Sequence, residues 1–235
     1  MKGLVTRAGM NTKTTPSTVS LEDYDVSATP TSDFHSEFTS ILKRATKSIH
    51  RSYIDFAVYG QGTTLRERVY CYELYHQMRK IWNSPDFWLN GEVDKAAHLE
   101  LKKKGLRAYK PDILVHKPGG GNSYNHTVIE VKTKNVECEA IIKDLRSLCD
   151  FVVKAHYQRA IFLVYGSHAD SHTRPELLEA LDKFRHSEHT DSPSCLIEVW
   201  FHSRNGEEAA PRHLIRLSAD ALPALKKRKT KQAPQ

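Results

Sequence analysis

Apolar residues recur along this chain with two periods. Phe34, Phe38, Ile41, Leu42, Ala45 and Ile49 follow one another at helical spacing, and Ser32 or Asp33 can cap the helix they predict. Cys71, Leu74, Tyr75, Met78, Ile81 and Trp82 form a second stripe. That helix is expected to open at Thr63 or Thr64, after the break at Gly60-Gln61-Gly62, and to run to about Trp82. Ile141, Ile142, Leu145, Leu148, Phe151 and Val152 predict a third helix, from Glu137 to about Lys154. Thr173-Arg174-Pro175-Glu176 reads as the start of a fourth, with Thr173 as cap and Pro175 near the first turn. It is expected to end near Arg185 and to bury Leu177, Leu178, Leu181 and Phe184.

The other period is that of strands. Ile113-Leu114-Val115-His116 and Thr127-Val128-Ile129-Glu130-Val131 flank the turn residues Gly119-Gly120-Gly121-Asn122, the pattern of a hairpin with a longer loop. Arg159 to Gly166 is nearly all apolar, as a central strand covered on both faces would be. With the helix before it, this run predicts a crossover from the Glu130 strand into a parallel neighbour. Ser194 to Phe201 and Leu214 to Leu217 read as further strands, and Gly91 as a turn. The expected order is α-α-β-β-α-β-α-β, an α/β architecture with a mixed central sheet flanked by helices.

Composition divides the chain in three. Residues 1–31 are rich in Thr, Ser and Pro and read as a flexible arm; residues 32–225 carry the apolar patterns of one domain; residues 226–235 form a basic tail. The net charge of +7 includes +5 from that tail, the arm sums to zero, and the body carries +2. The tail can add sequence-independent contact with phosphates, or can simply be solvated. No apolar run reaches membrane length, no signal segment opens the chain, and the four cysteines are scattered. Those features predict a cytoplasmic protein with reduced thiols and no zinc site.

The candidate chemistry lies in the hairpin. Asp112 opens its first run, and Glu130 and Lys132, two apart, project from one face of the second. Pairing of the two strands would bring the three together at one end of a sheet. Two close carboxylates repel unless a cation lies between them. Mg²⁺ takes a few carboxylates and completes its shell with waters and substrate phosphate oxygens. An adjacent ammonium can orient water or stabilise charge at phosphorus. The competing reading is a structural salt bridge at the rim of the sheet.

Pro111-Asp112, then 17 residues, then Glu130-Val131-Lys132 resembles the motif of the PD-(D/E)XK nuclease superfamily. The resemblance covers roughly residues 64–166 and implies a restriction-endonuclease-like core. It also implies Asp112 and Glu130 as ligands of Mg²⁺ (or Mn²⁺) and Lys132 as the catalytic lysine. Cys71 to Gln77 resembles the first core helix of that superfamily, whose glutamate often completes the site, which points to Glu73. Glu67 is its rival, because it falls within the apolar stripe where Glu73 does not. Glu92 or Asp94 can add an acid upstream, and Gln158 can assist from the next strand. The implied activity is an Mg-dependent endonuclease acting on DNA, with a homodimer suited to cutting two strands. The alternative is a catalytically inactive nuclease-fold protein that binds nucleic acid or a partner.

Overall fold

A computed structural model describes residues 31–60, 62–91, 106, 110–185 and 194–218. The basic tail, the arm up to residue 30, and Glu92 and Asp94 lie outside the described residues. The elements are α1 (Thr31–Lys47), α2 (Arg51–Ile54), β1 (Phe56–Val58), β2 (Gly62–Thr64), α3 (Glu67–Lys80) and β3 (Trp88–Gly91). They continue as β4 (Ile113–His116), β5 (Asn125–Thr133), α4 (Cys138–Ala155), β6 (Arg159–Tyr165), α5 (Ala169–Arg185), β7 (Ser194–His202) and β8 (Ala210–Ser218).

Strands β3 to β8 form one six-stranded mixed sheet in chain order. The β3–β4, β4–β5 and β7–β8 pairs are antiparallel, while β5–β6 and β6–β7 are parallel. The expected hairpin is present, with Ile113 opposite Ile129. So is the expected crossover, because α4 connects β5 to its parallel neighbour β6. All seven residues of β6 are buried, since helices cover both faces of the sheet there. Residue parity along β5 divides the core. Ile129 and Val131 face α1 and α3 together with Phe38, Leu42 and Leu74. Val128 faces α4 and α5 together with Leu145, Leu148 and Leu177.

Four features differ from the sequence expectation. Gly62–Thr64 is not a helix start but a strand, paired with Phe56–Val58 in a separate hairpin. Positive φ at Gly60 (75°) and Gly62 (78°) turns the chain there, and α3 opens only at Glu67. Gly91 ends an edge strand instead of marking a turn. Trp88 is exposed on β3, which leaves little apolar alternation to read. Helix α5 begins at Ala169 and holds Pro175 inside it. Thr173 is not its cap; its hydroxyl donates to the carbonyl of Lys134 and ties α5 to the end of β5. Finally, Leu178 is exposed, although Leu177 beside it is buried.

Candidate active site

The register of β4 against β5 explains how the site forms. Pairing stops at Ile113 and Ile129, so the N–H of Val131 lies beyond the ladder. Buried amides need a partner. Pro111 cannot donate and ends the strand, and Asp112 turns its carboxylate inward to accept the Val131 N–H at 2.7 Å (Oδ2). An acid that looks misplaced at the head of an apolar run thus completes the edge of the sheet.

Glu130 and Lys132 share the face that looks towards α4, as their spacing predicts. Glu130 is 6% exposed, and its Oε1 accepts from the hydroxyl of Ser147 at 2.9 Å. Lys132 Nζ lies 3.2 Å from Asp144 Oδ2. Asp144 Oδ2 has no other partner. Asp144 and Ser147 are three apart, hence on one side of α4. The lower-numbered helix residue meets the higher-numbered strand residue, so α4 runs antiparallel to β5.

Lys132 also reaches α3, on the other side of the sheet. Its Nζ donates to Glu67 Oε1 at 2.9 Å and to the carbonyl of Val131 at 3.1 Å. It can do so because β4 has already ended, leaving the edge of β5 open at this point. Glu67, the first residue of α3, is therefore the glutamate of that helix that meets the lysine. Glu73 lies further along α3, where Oε1 accepts from Gln77 Nε2 at 2.6 Å. Gln158 lies just before β6 and donates to the carbonyl of Ser123. Val164 of β6 pairs with Lys132, which puts Gln158 about 20 Å away along the strand. Sequence reasoning missed Asp144 and Ser147. Their signal was two polar residues at helical spacing beside the buried Leu145 and Leu148.

The cluster crowds acid around one cation. Burial pushes the Glu130 carboxyl well above its ordinary range, and the charges of Asp144 and Asp112 push it further against the pull of Ser147 and Lys132. Burial raises Asp112 to about 6, although the Val131 N–H and Lys132 oppose it. Burial raises Asp144 too, with Lys132 opposing. Burial by itself would lower the pKa of Lys132, but Asp144, Glu67 and Asp112 outweigh it and raise the value. Lys132 is thus a fixed ammonium at neutral pH.

Among the described residues, no group of three or more His, Cys, Asp or Glu is placed to hold a metal ion. Two carboxylates are nonetheless enough for Mg²⁺ that takes its other ligands from water and phosphate. Asp112 and Glu130 fit in kind. Val131 and Ser147 each engage one carboxylate oxygen, and a cation between the two acids would relieve the burial and mutual repulsion that disfavour their charged forms. Among the described residues, no helix is long and apolar enough to cross a membrane. No protein-family model, curated protein or solved structure matches the chain.

Proposed function

We propose that the chain is a metal-dependent nuclease of PD-(D/E)XK type with a restriction-endonuclease-like core, cleaving phosphodiester bonds in DNA. The observation that supports it is the meeting of Asp112, Glu130 and Lys132 at one end of β5. Asp112 and Glu130 would hold Mg²⁺ or Mn²⁺, which when bound polarises a phosphoryl oxygen and acidifies a water. Lys132 is held as a cation by its carboxylate neighbours. Its part is to orient the attacking water and to stabilise charge developing on the phosphate, not to remove a proton. Glu67 and Asp144 position that ammonium from the two sides of the sheet.

The test is plasmid nicking in Mg²⁺ by the wild type and by Lys132→Ala. A loss of about 10²–10³-fold in rate, with DNA binding retained, is expected from removing one charge-stabilising donor. Unchanged nicking, or equal loss of binding and folding, overturns the proposal.

One observation favours a second reading, a catalytically inactive nuclease fold that binds nucleic acid or a partner. Lys132 is already flanked by Glu67 and Asp144, as it would be in a structural ion cluster. Calorimetric titration with Mg²⁺ separates the two. Binding by the wild type and not by Asp112→Ala supports the enzyme, whereas no binding even with DNA present supports the binding module. Deleting residues 226–235 should change only affinity and its salt dependence if the tail is an accessory.

A further inference from the structure

Basic charge is concentrated in one stretch of the chain. Residues 43–80 hold eight Lys and Arg against three Asp and Glu, a net of +5. The whole chain carries +7 and the tail from residue 226 carries another +5, so everything else sums to −3. The stretch is also continuous in space. Helices α1 and α3 cover the same face of the sheet, and α2 packs against both α3 and β1. Arg66 and Arg79 are exposed on it. Its three acids are engaged: Glu67 with Lys132, Glu73 with Gln77, and Asp55 with Arg51 at 3.6 Å.

Aromatic rings stand out of the same surface. Tyr53, Phe56, Tyr59 and Tyr72, all in this stretch, are 39%, 37%, 104% and 59% exposed; of the exposed aromatic residues described, Trp88 on β3 lies outside it. Tyr59 stands in the turn between β1 and β2, held away from the body. The hairpin is rooted beside the site. A Cβ at Gly166, just past β6, would lie 3.3 Å from the side chain of Leu65 and 3.1 Å from that of Lys134. Leu65 leads from β2 towards Glu67, the residue that holds Lys132.

We propose that the β1–β2 hairpin and the outer face of α3 form a track for single-stranded nucleic acid leading to the Lys132 cluster. Unpaired bases stack on Phe56 and Tyr59, and phosphates lie against Arg66 and Arg79. Protruding rings with interleaved arginines suit unpaired strands, because base faces are accessible only when they are not stacked in a duplex. As a statement of substrate class this rests on the nuclease reading; as a binding surface it does not.

The test is fluorescence anisotropy of the full-length protein in EDTA, where metal-dependent cleavage is blocked. The probes are a labelled single-stranded DNA of about 20 nucleotides, enough to cross one such track, and the duplex of the same sequence. The single strand should bind about tenfold more tightly or better. The Phe56→Ala/Tyr59→Ala double variant should weaken single-strand binding by about tenfold or more, because each stack contributes that order of affinity. Tyr59 is fully exposed and Phe56 is 37% exposed, so the circular dichroism spectrum should not change, while the melting temperature should fall by no more than a few degrees. Arg66→Ala should lower the slope of log affinity against log salt by about one. Equal or tighter duplex binding overturns the proposal. So does unchanged affinity in the aromatic variant, or binding to phosphatidylserine vesicles in place of DNA. Single-strand binding that depends on the rings, together with wild-type protein that never cleaves in Mg²⁺, leaves the track standing and overturns only the nuclease reading.

Discussion

The carboxylate of Asp112 accepts the main-chain N–H of Val131 at 2.7 Å, so the acid at the head of β4 anchors the part of β5 that lies between Glu130 and Lys132. The same group is thus a structural acceptor and a candidate ligand, and substitutions can separate the two roles. Asp112→Ala orphans a buried amide and should cost about 1–3 kcal/mol, seen as a lower denaturant midpoint. Asp112→Asn keeps an acceptor and should be no less stable than the wild type at neutral pH, while losing metal binding and cleavage. Equal destabilisation by both variants would show that the charge, not the hydrogen bond, holds the strand.

The pH dependence of stability should carry the mark of the same residue. Asp112 is raised by burial from the ordinary carboxylate range to about 6, so the folded state binds its proton more readily than the unfolded state. Its contribution is full below the unfolded pKa, near 4, and is lost as pH rises through about 6. Buried His126 and His202 act in the opposite sense. Burial lowers them to about 3 and about 4, and their contributions are lost as pH falls through those values. The comparison with Asp112→Asn isolates the carboxyl. Denaturation without metal should show the stability difference moving towards the wild type by on the order of 2 kcal/mol from pH 8 to pH 4.5.

Glu67 and Glu73 should behave differently. Glu67→Gln removes the charge that faces Lys132 from α3 and should slow cleavage strongly. Glu73→Gln alters only a contact within the helix and should leave the rate near wild type. Its effect on stability should stay within about 0.5 kcal/mol, as for most surface changes. Nicking assays on the two variants decide the matter; a larger loss at Glu73 would move the site along α3.

A second ion pair should dominate stability without touching the site. Arg159, 4% exposed, makes two 2.8 Å bonds to Glu198, and its third nitrogen donates to Thr39 on α1 at 2.9 Å. Arg159→Ala leaves Glu198 without its main partner and should cost about 3–5 kcal/mol in a denaturant titration. Arg159→Lys should recover little of this, because a single ammonium cannot reproduce the two-pronged contact. Burial would raise the pKa of Glu198, but Arg159 outweighs it and holds the value below the ordinary range. The contribution is therefore present above the unfolded pKa and is lost as pH falls through the lower folded value.

Much of the architecture was legible because burial writes itself into periodicity. The stripes of α1, α3 and α4 and the apolar run of β6 are each long enough to read, and the Gly-rich turn marks the hairpin. The elements that escaped are short or half-exposed. Strands β1 and β2 have three residues each, and β3 is an edge strand of four. Periodicity needs more turns of the pattern than these contain.

At the candidate site, the sequence by itself determined that Asp112, Glu130 and Lys132 share a hairpin and that the last two share a face. A strand's two-residue period requires the second statement. Only the tertiary structure decided what lies opposite them. Asp144 and Ser147 meet β5 because α4 crosses back antiparallel to it, and Glu67 rather than Glu73 meets Lys132 because β4 ends early and opens the edge of β5. The same holds for the basic, aromatic face of α1–α3. Its charges and rings are spread over 38 residues, from 43 to 80, and only packing on one side of the sheet makes them a single surface. Contacts of this kind depend on where elements end and how they cross, and local propensity does not encode either.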